Sequence, residues 1–428
     1  MKTINPIRSI RGILAVPGDK SISHRSVMFG SLANGKTRIR GFLNGADCLS
    51  TISCFHAMGI PVEFSSPTEL TVFGKGLGGL QAPGKMLDVG NSGTTMRLLS
   101  GILAGQSFPS TMTGDASIRK RPMGRVIEPL TRMGANIRSL SGDNLAPLAI
   151  EPGVLHGITY HSPVASAQVK SSILLAGLYA QGATTVVEPY VSRNHTEILL
   201  RQFGASIARE GAAATLVPGS PLEGIAIEVP ADISSAAFFL VAALIVPQGD
   251  VVLKNVGINP TRDGIIHVLK RMNGDIELLD VRETNGEAVA DIRVRSSRLT
   301  GTVVEKGEIP RLIDEIPAIA VAAAFAEGTT TIRDAAELKV KESNRIDAMV
   351  AELGKMGADL YGTEDGMVIH GGAPLRGASV ESHHDHRIAM SLAVAGLRAD
   401  GPTTIANSGC ISISYPGFFD DLERLARP

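Results

Sequence analysis

Three cysteines, Cys48, Cys54 and Cys410, are too few and too scattered over 428 residues for a disulfide framework or a paired CxxC metal site. They read as reduced, mostly buried thiols. Net charge is also missing: 41 Lys and Arg stand against 42 Asp and Glu, which leaves no overall field to hold nucleic acid or an anionic membrane. Any basic site must therefore be local. No stretch reaches the roughly 18 uninterrupted apolar residues of a membrane helix. The opening MKTINPIRSIRG has no apolar signal-peptide core, and the expected location is the cytoplasm. What is present is ordinary globular composition, 44% hydrophobic and 19% charged. The length exceeds one comfortable core, so two domains are expected.

One pattern recurs six times: an Ala-rich apolar helical run, a glycine, then a Thr- or Val-rich strand. Examples are SSILLAGLYAQGATTVV and AIAVAAAFAEGTTTI. The glycines are Gly35, Gly105, Gly182, Gly249, Gly328 and Gly401, between 67 and 79 residues apart, each placed to end its helix in a left-handed turn. A second helix signature interleaves, ending in Met-Gly or Phe-Gly, as in LTRMGANI and LRQFGASI. Each period thus holds two helices and several short strands, an α/β (α+β) unit. The matched strings VPGDKSISHR and VPADISSAAFF divide the six units into halves. The expected domains are residues 19–230, carrying units one to three, and residues 1–18 with 231–428, carrying units four to six. Two strands near Gly18 and Ala231 would form a hinge, with a cleft that closes on substrate.

Against this apolar repeat, several helix starts carry cations and small polar residues that packing does not require. GDKSISHRS crowds Lys20, Ser21 and Arg25 at a turn before a helix, where free N–H groups favour an anion. The plain alternative is a solvated cap with Asp19 or Ser21 as its capping residue. GNSGTTMR brings Gly93 and Arg97 to a second helix start, and TGDASIRKRPMGR packs Arg119, Lys120, Arg121 and Arg125 into one loop. ASAQVKSS offers Ser166, Ala167, Gln168 and Lys170, while SRNHTE offers Arg193 and His195. RLIDEIPAIAV sets Asp314 and Glu315 before an apolar helix, where an unpaired carboxylate is costly. In VKESNR, Lys341 and Arg345 would share a face if the segment were helical. HHDHRIAM brings Asp385, His386 and Arg387 to the last apolar helix; its histidines lack metal-ligand spacing, so no metal is expected.

At these strings, from VPGDKSISHR to YPGF, the chain resembles the 5-enolpyruvylshikimate-3-phosphate synthase family. The details SAQVK, RNHTE, GDKS and NPTR (Asn259 to Arg262) look like its second, often glyphosate-tolerant bacterial class. The resemblance implies two similar domains, each of three βαβαββ units, the enolpyruvyl transferase fold or inside-out α/β barrel, joined by a two-strand hinge. It implies transfer of the enolpyruvyl group of phosphoenolpyruvate to the 5-hydroxyl of shikimate 3-phosphate, a step toward chorismate and the aromatic amino acids. Lys20, Gly93, Arg121, Gln168, Arg345 and Arg387 would surround phosphoenolpyruvate. Lys20, Ser21, Arg25, Ser166, Ala167, Gln168, Arg193, Asp314 and Lys341 would hold shikimate 3-phosphate. Asp314 would accept the hydroxyl proton, with Glu342 and Lys20 as candidate donors to the methylene carbon. No cofactor, nucleic-acid partner or membrane is implied, glyphosate is the implied inhibitor, and a monomer is expected.

Four positions depart from the family pattern: Ala231 replaces a usual glycine, Asn344 a usual Asp, Ile413 a lysine of many first-class members, and Gly93 keeps the residue of sensitive enzymes. The nearest alternative, the transferase acting on UDP-N-acetylglucosamine, carries a cysteine in the loop that here reads DASIRKRP. A second alternative is a silent anion-binding repeat protein, which gains nothing from Asp314 and Glu342.

Overall fold

The computed structural model describes residues 1–427. Its strands form six small sheets, five of four strands and one of three. The order within a sheet repeats. Leu87–Asp88 runs parallel to Ser110–Thr113 across the intervening Gly93–Ala104 helix, and Leu148–Glu151 and Asn136–Ser139 then add antiparallel. The Gly124–Arg132 helix sits between the second and third strands in sequence, which makes the unit βαβαββ. The same arrangement recurs for Thr159–His161, Thr184–Val187, Ala213–Val217 and Ser206–Glu210, and again for Val303–Val304, Thr329–Ile332, Met367–His370 and Asp359–Gly362.

Contacts divide the chain into two compact units. One comprises Gly18–Val229 with Thr284–Gly286; the other comprises Met1–Pro17, Pro230–Glu283 and the chain from Glu287 onward. In the first unit the chain closes on its own beginning, with Ala226–Glu228 parallel to Asn34–Arg40. In the second, the N-terminal strands complete two sheets: Ser9–Leu14 pairs with Gln248–Gly257, and Lys2–Ile4 with Thr403–Ala406.

The Ala-rich helices are central because they are apolar on every side. All thirteen residues of Ile233–Ile245 are buried, and this helix packs on Ile316–Ala324 and His386–Gly396. Gln248–Gly257 alternates buried with more exposed positions, as a strand does when one face covers helices and the other meets solvent. The Phe418–Ala426 helix is clasped to Ile233–Ile245 by Phe238, Phe239, Tyr415 and Phe418, whose ring centroids lie 5.5 to 5.9 Å apart. Such aromatic pairs add about 0.5–1.5 kcal/mol each beyond buried area.

The repeat glycines behave less uniformly than the sequence pattern suggests. Gly35, Gly182, Gly328 and Gly401 have φ of 83°, 91°, 88° and 105°, whereas Gly105 has φ −92° and Gly249 lies within a strand. At those two positions the requirement is space: a Cβ would lie 2.2 Å from the Tyr179 ring and 1.9 Å from the Ala243 carbonyl oxygen, respectively. Gly18 is likewise held by close approach, 1.8 Å from a virtual Cβ to Gly41 O. Ala231 has no such restriction and makes ordinary backbone bonds to Asn255 and Gly257.

Candidate functional site

In the Gly18–Val229 unit, three largely buried helices begin at the polar strings. Asp19 caps Lys20–Leu32, its carboxylate accepting from Ile22 N at 2.8 Å; Ser92 caps Gly93–Ala104 and Ser166 caps Ala167–Gly177. The Gly93 turn collects one group of side chains. Arg97 donates through Nη1 to Gln168, Gln168 donates to Thr94 Oγ1 at 3.0 Å, and Arg121 donates to Asn91 Oδ1 at 2.9 Å and Ser117 Oγ at 3.1 Å. A methyl at Gly93 would lie 3.1 Å from Arg121 Nη1 and 3.4 Å from Arg97 Nη1. Two guanidinium groups thus converge at a helix N-terminus, an arrangement that favours an anion. Of the basic loop's cations, Arg121 is buried and Arg125 half-buried, whereas Arg119 and Lys120 face solvent, as a charge run usually does.

A second group joins the Lys20 helix to the later part of the unit. Arg25 is buried and donates to Thr196 Oγ1 at 2.7 Å, Ser171 Oγ at 2.9 Å and Ser21 O at 3.1 Å. Arg193 donates to Ser21 Oγ at 3.3 Å. Lys20 itself donates to Asp47 Oδ2 at 3.1 Å. Beneath them His24 Nδ1 meets Thr51 Oγ1 at 2.7 Å, and Thr51 meets Thr95 Oγ1 at 2.7 Å, which ties three helices together. Burial holds the His24 pKa well below its ordinary value, and the nearby charges of Lys20 and Arg25 push it the same way. Both favour the neutral ring.

In the other unit, the residues converge on Asp314 and Arg345. Arg345 is 1% exposed and donates to Asp385 Oδ2 at 2.8 Å, Glu342 Oε2 at 2.6 Å and Asp314 Oδ1 at 3.3 Å. Burial alone would lower its pKa; the carboxylates of Asp385, Glu342 and Asp314 outweigh that and raise it. Burial opposes ionisation of Asp385 in turn, and Arg345 nonetheless holds its pKa below the usual carboxylate range. Asp314 also accepts from Lys341 Nζ at 3.3 Å, and its backbone carbonyl accepts from Arg387 Nη1 at 3.1 Å. Arg262 Nη1 and Arg387 Nη2 each lie 4.0 Å from Asp314 Oδ2.

The VKESNR segment is not the helix its spacing allowed. Ala336–Val340 is a 3-10 turn, Lys341 is extended, and the next helix starts at Arg345. Lys341 and Arg345 meet at Asp314 through that break, not along a helical face. Asn344 caps the new helix, accepting from Asp347 N at 3.3 Å and donating to Asp347 Oδ2 at 2.7 Å. It therefore leaves the orientation of Arg345 to the three carboxylates. His383 donates through Nε2 to Glu352 Oε1 at 2.8 Å and belongs to the loop that leads to Asp385.

Sequence reasoning gave no role to Asp47, Glu188, Arg262 or Asp385. Asp385 and Arg262 stood inside motifs already singled out, so a signal existed; Asp47 and Glu188 sit in unremarkable surroundings, and only folding pairs them with Lys20 and Lys170.

Five four-stranded sheets and one of three strands, several of them in the βαβαββ order, with cations and carboxylates gathered at helix starts, make up the enolpyruvyl transferase fold. The enolpyruvyl transferase NikO of Streptomyces tendae shares the fold at 17% identity and a TM-score of 0.79, over 99% of this chain and 96% of that one. A solved EPSP synthase from Acinetobacter baumannii aligns over 99% of this chain and 97% of its own, with a TM-score of 0.88 and 49% identity. A curated 3-phosphoshikimate 1-carboxyvinyltransferase of Thermoanaerobacter sp. strain X514 is 57% identical over 418 residues, 98% of each chain. One from Bacillus cereus strain AH187 is 55% identical over 427 residues, 100% of this chain and 99% of its own. The EPSP synthase (3-phosphoshikimate 1-carboxyvinyltransferase) family signature matches residues 4–422. The chain belongs to that family.

Proposed function

We propose that the chain transfers the carboxyvinyl group of phosphoenolpyruvate to the 5-hydroxyl of shikimate 3-phosphate, releasing phosphate, on the route to chorismate and the aromatic amino acids. The observation that carries this reading is Asp314, a carboxylate set among Lys341, Arg345, Arg387 and Arg262. A passive anion binder has no use for it; a transferase needs a base beside the cations. Asp314 accepts the 5-hydroxyl proton as that oxygen bonds to C2 of phosphoenolpyruvate, while Glu342 or Lys20 supplies a proton to C3. The tetrahedral adduct then gives a C3 proton back to that same group as the C2–O bond to phosphate breaks, and Arg345 and Arg387, with Lys20 once it is protonated, receive the departing negative charge. Gly93, Arg121 and Gln168 hold phosphoenolpyruvate, and Ser21, Arg25, Ser166, Ala167, Gln168, Arg193 and Lys341 hold the shikimate phosphate.

The enzyme acts as a monomer in the cytoplasm. Its SAQVK, RNHTE, GDKS and NPTR strings favour the glyphosate-tolerant class, while Gly93 leaves room for the longer inhibitor, so its tolerance is intermediate. The deciding assay is phosphate release with purified protein. Release requires phosphoenolpyruvate and shikimate 3-phosphate together; release with UDP-N-acetylglucosamine in place of the shikimate, or with neither acceptor, overturns the reading.

A further inference from the structure

Three charged side chains lie in the core of the Gly18–Val229 unit with no role in the chemistry above. Lys170, Glu188 and Glu197 are 2%, 5% and 2% exposed. Lys170 Nζ lies 3.0 Å from Glu188 Oε2 and 2.8 Å from Glu197 Oε1. Neither Glu197 oxygen receives an aligned hydrogen bond, so the Lys170 ammonium is its counter-charge. Glu188 uses both oxygens: Oε1 accepts the Ser166 N–H at 3.0 Å, and Oε2 accepts from Ser192 N at 3.3 Å and Ser192 Oγ at 2.8 Å. It therefore bolts the Ser166 cap to the loop that carries Arg193. Arg25 reaches the residues next to this set, Ser171 and Thr196, which also bond each other at 2.6 Å.

Three buried charges are a costly way to fill space, since apolar side chains of similar volume pack as well or better. We infer that Lys170, Glu188 and Glu197 are positioning residues that set Ser166 and Arg193 for the phosphorylated shikimate, an inference that rests on the reading of those two residues given above. Only a carboxylate offers an acceptor to Ser166 and to Ser192 at once. The ammonium does a second thing. Without it, two uncompensated carboxylates lie against the backbone of a residue that receives a phosphorylated ligand, and they repel it.

The test uses the full-length protein and the variants Lys170→Met, Lys170→Arg, Glu188→Gln and the double variant Lys170→Met with Glu197→Gln. The readouts are the calorimetric Kd for shikimate 3-phosphate and the KM for phosphoenolpyruvate at saturating shikimate 3-phosphate. Glu188→Gln and Lys170→Met weaken shikimate 3-phosphate at least about tenfold, the scale of one charge-assisted hydrogen bond, and leave the phosphoenolpyruvate KM within about threefold. Lys170→Arg restores most of the affinity, and the double variant binds better than Lys170→Met because one repelling carboxylate is gone. If Lys170→Met does not fold, Glu188→Gln, which keeps volume and shape, carries the test alone. Unchanged shikimate 3-phosphate affinity in Glu188→Gln, or equal weakening of both substrates, overturns the inference. Ser166→Ala and Arg193→Ala are measured alongside: if both bind shikimate 3-phosphate normally, the assignment of those residues fails, whatever the buried set does.

Discussion

At the scale of single residues, Asp314 and Gly93 make the sharpest statements. Asp314→Asn keeps the size of the side chain and removes the proposed base, so kcat is expected to fall by about two to four orders of magnitude while both KM values stay within about tenfold. Steady-state kinetics at saturating substrates decide this, and near-normal turnover removes Asp314 from the role. Gly93→Ala puts a methyl 3.1 Å from Arg121 Nη1, tight enough that the flexible guanidinium must shift by a few tenths of an ångström. The backbone tolerates alanine there because Gly93 opens a helix. An inserted methyl costs about 1–3 kcal/mol against a ligand that fills the space. Glyphosate, the longer anion, loses more than phosphoenolpyruvate, so the inhibition constant rises by a larger factor than the KM. Equal factors for both place Gly93 elsewhere in the pocket.

At the scale of elements, polar side chains gather at helix starts and the apolar remainder of each helix anchors them. The His24–Thr51–Thr95 chain is one such anchor, holding the starts of the Lys20–Leu32 and Gly93–Ala104 helices against Ala46–Ala57. Its histidine is kept neutral in the fold, with a pKa below the ordinary 6.5 of an unfolded chain. Below pH 6.5 the unfolded state therefore binds a proton that the folded state refuses, and stability falls as pH drops, by up to about 1.4 kcal/mol per pH unit. Urea stability measured at pH 7.5, 6.5 and 5.5 has a smaller pH slope in His24→Gln than in the parent. Identical slopes would mean that His24 takes up its proton in the folded protein.

For the whole molecule, the activity proposed above demands that the chain recognise a phosphorylated shikimate before anything else distinguishes it from related transferases. A ligand that binds only the folded state stabilises it by about 2.7 kcal/mol at a hundred times its Kd. Shikimate 3-phosphate raises the thermal midpoint accordingly, and UDP-N-acetylglucosamine at the same concentration leaves it unchanged. The reverse pattern assigns the chain to the other substrate.

Much of this was written along the chain. The six-fold recurrence of apolar helix, glycine and β-branched strand is a local pattern, because helix burial and strand propensity depend on residues a few positions apart. Polar groups at helix starts are visible for the same reason: the cations Lys20, Arg97 and Arg387 and the amide of Gln168 stand where core packing has no need of them. The tertiary structure decided the pairings. That Arg121 and not Arg119 turns inward, that Lys341 and Arg345 meet across a broken segment, that Asp47 answers Lys20 and that Glu188 answers Lys170 all join residues far apart in sequence or on different faces of one loop. A carboxylate carries no mark of its partner until folding brings the two together, and the cost of burying either charge alone is what makes the pairing obligatory.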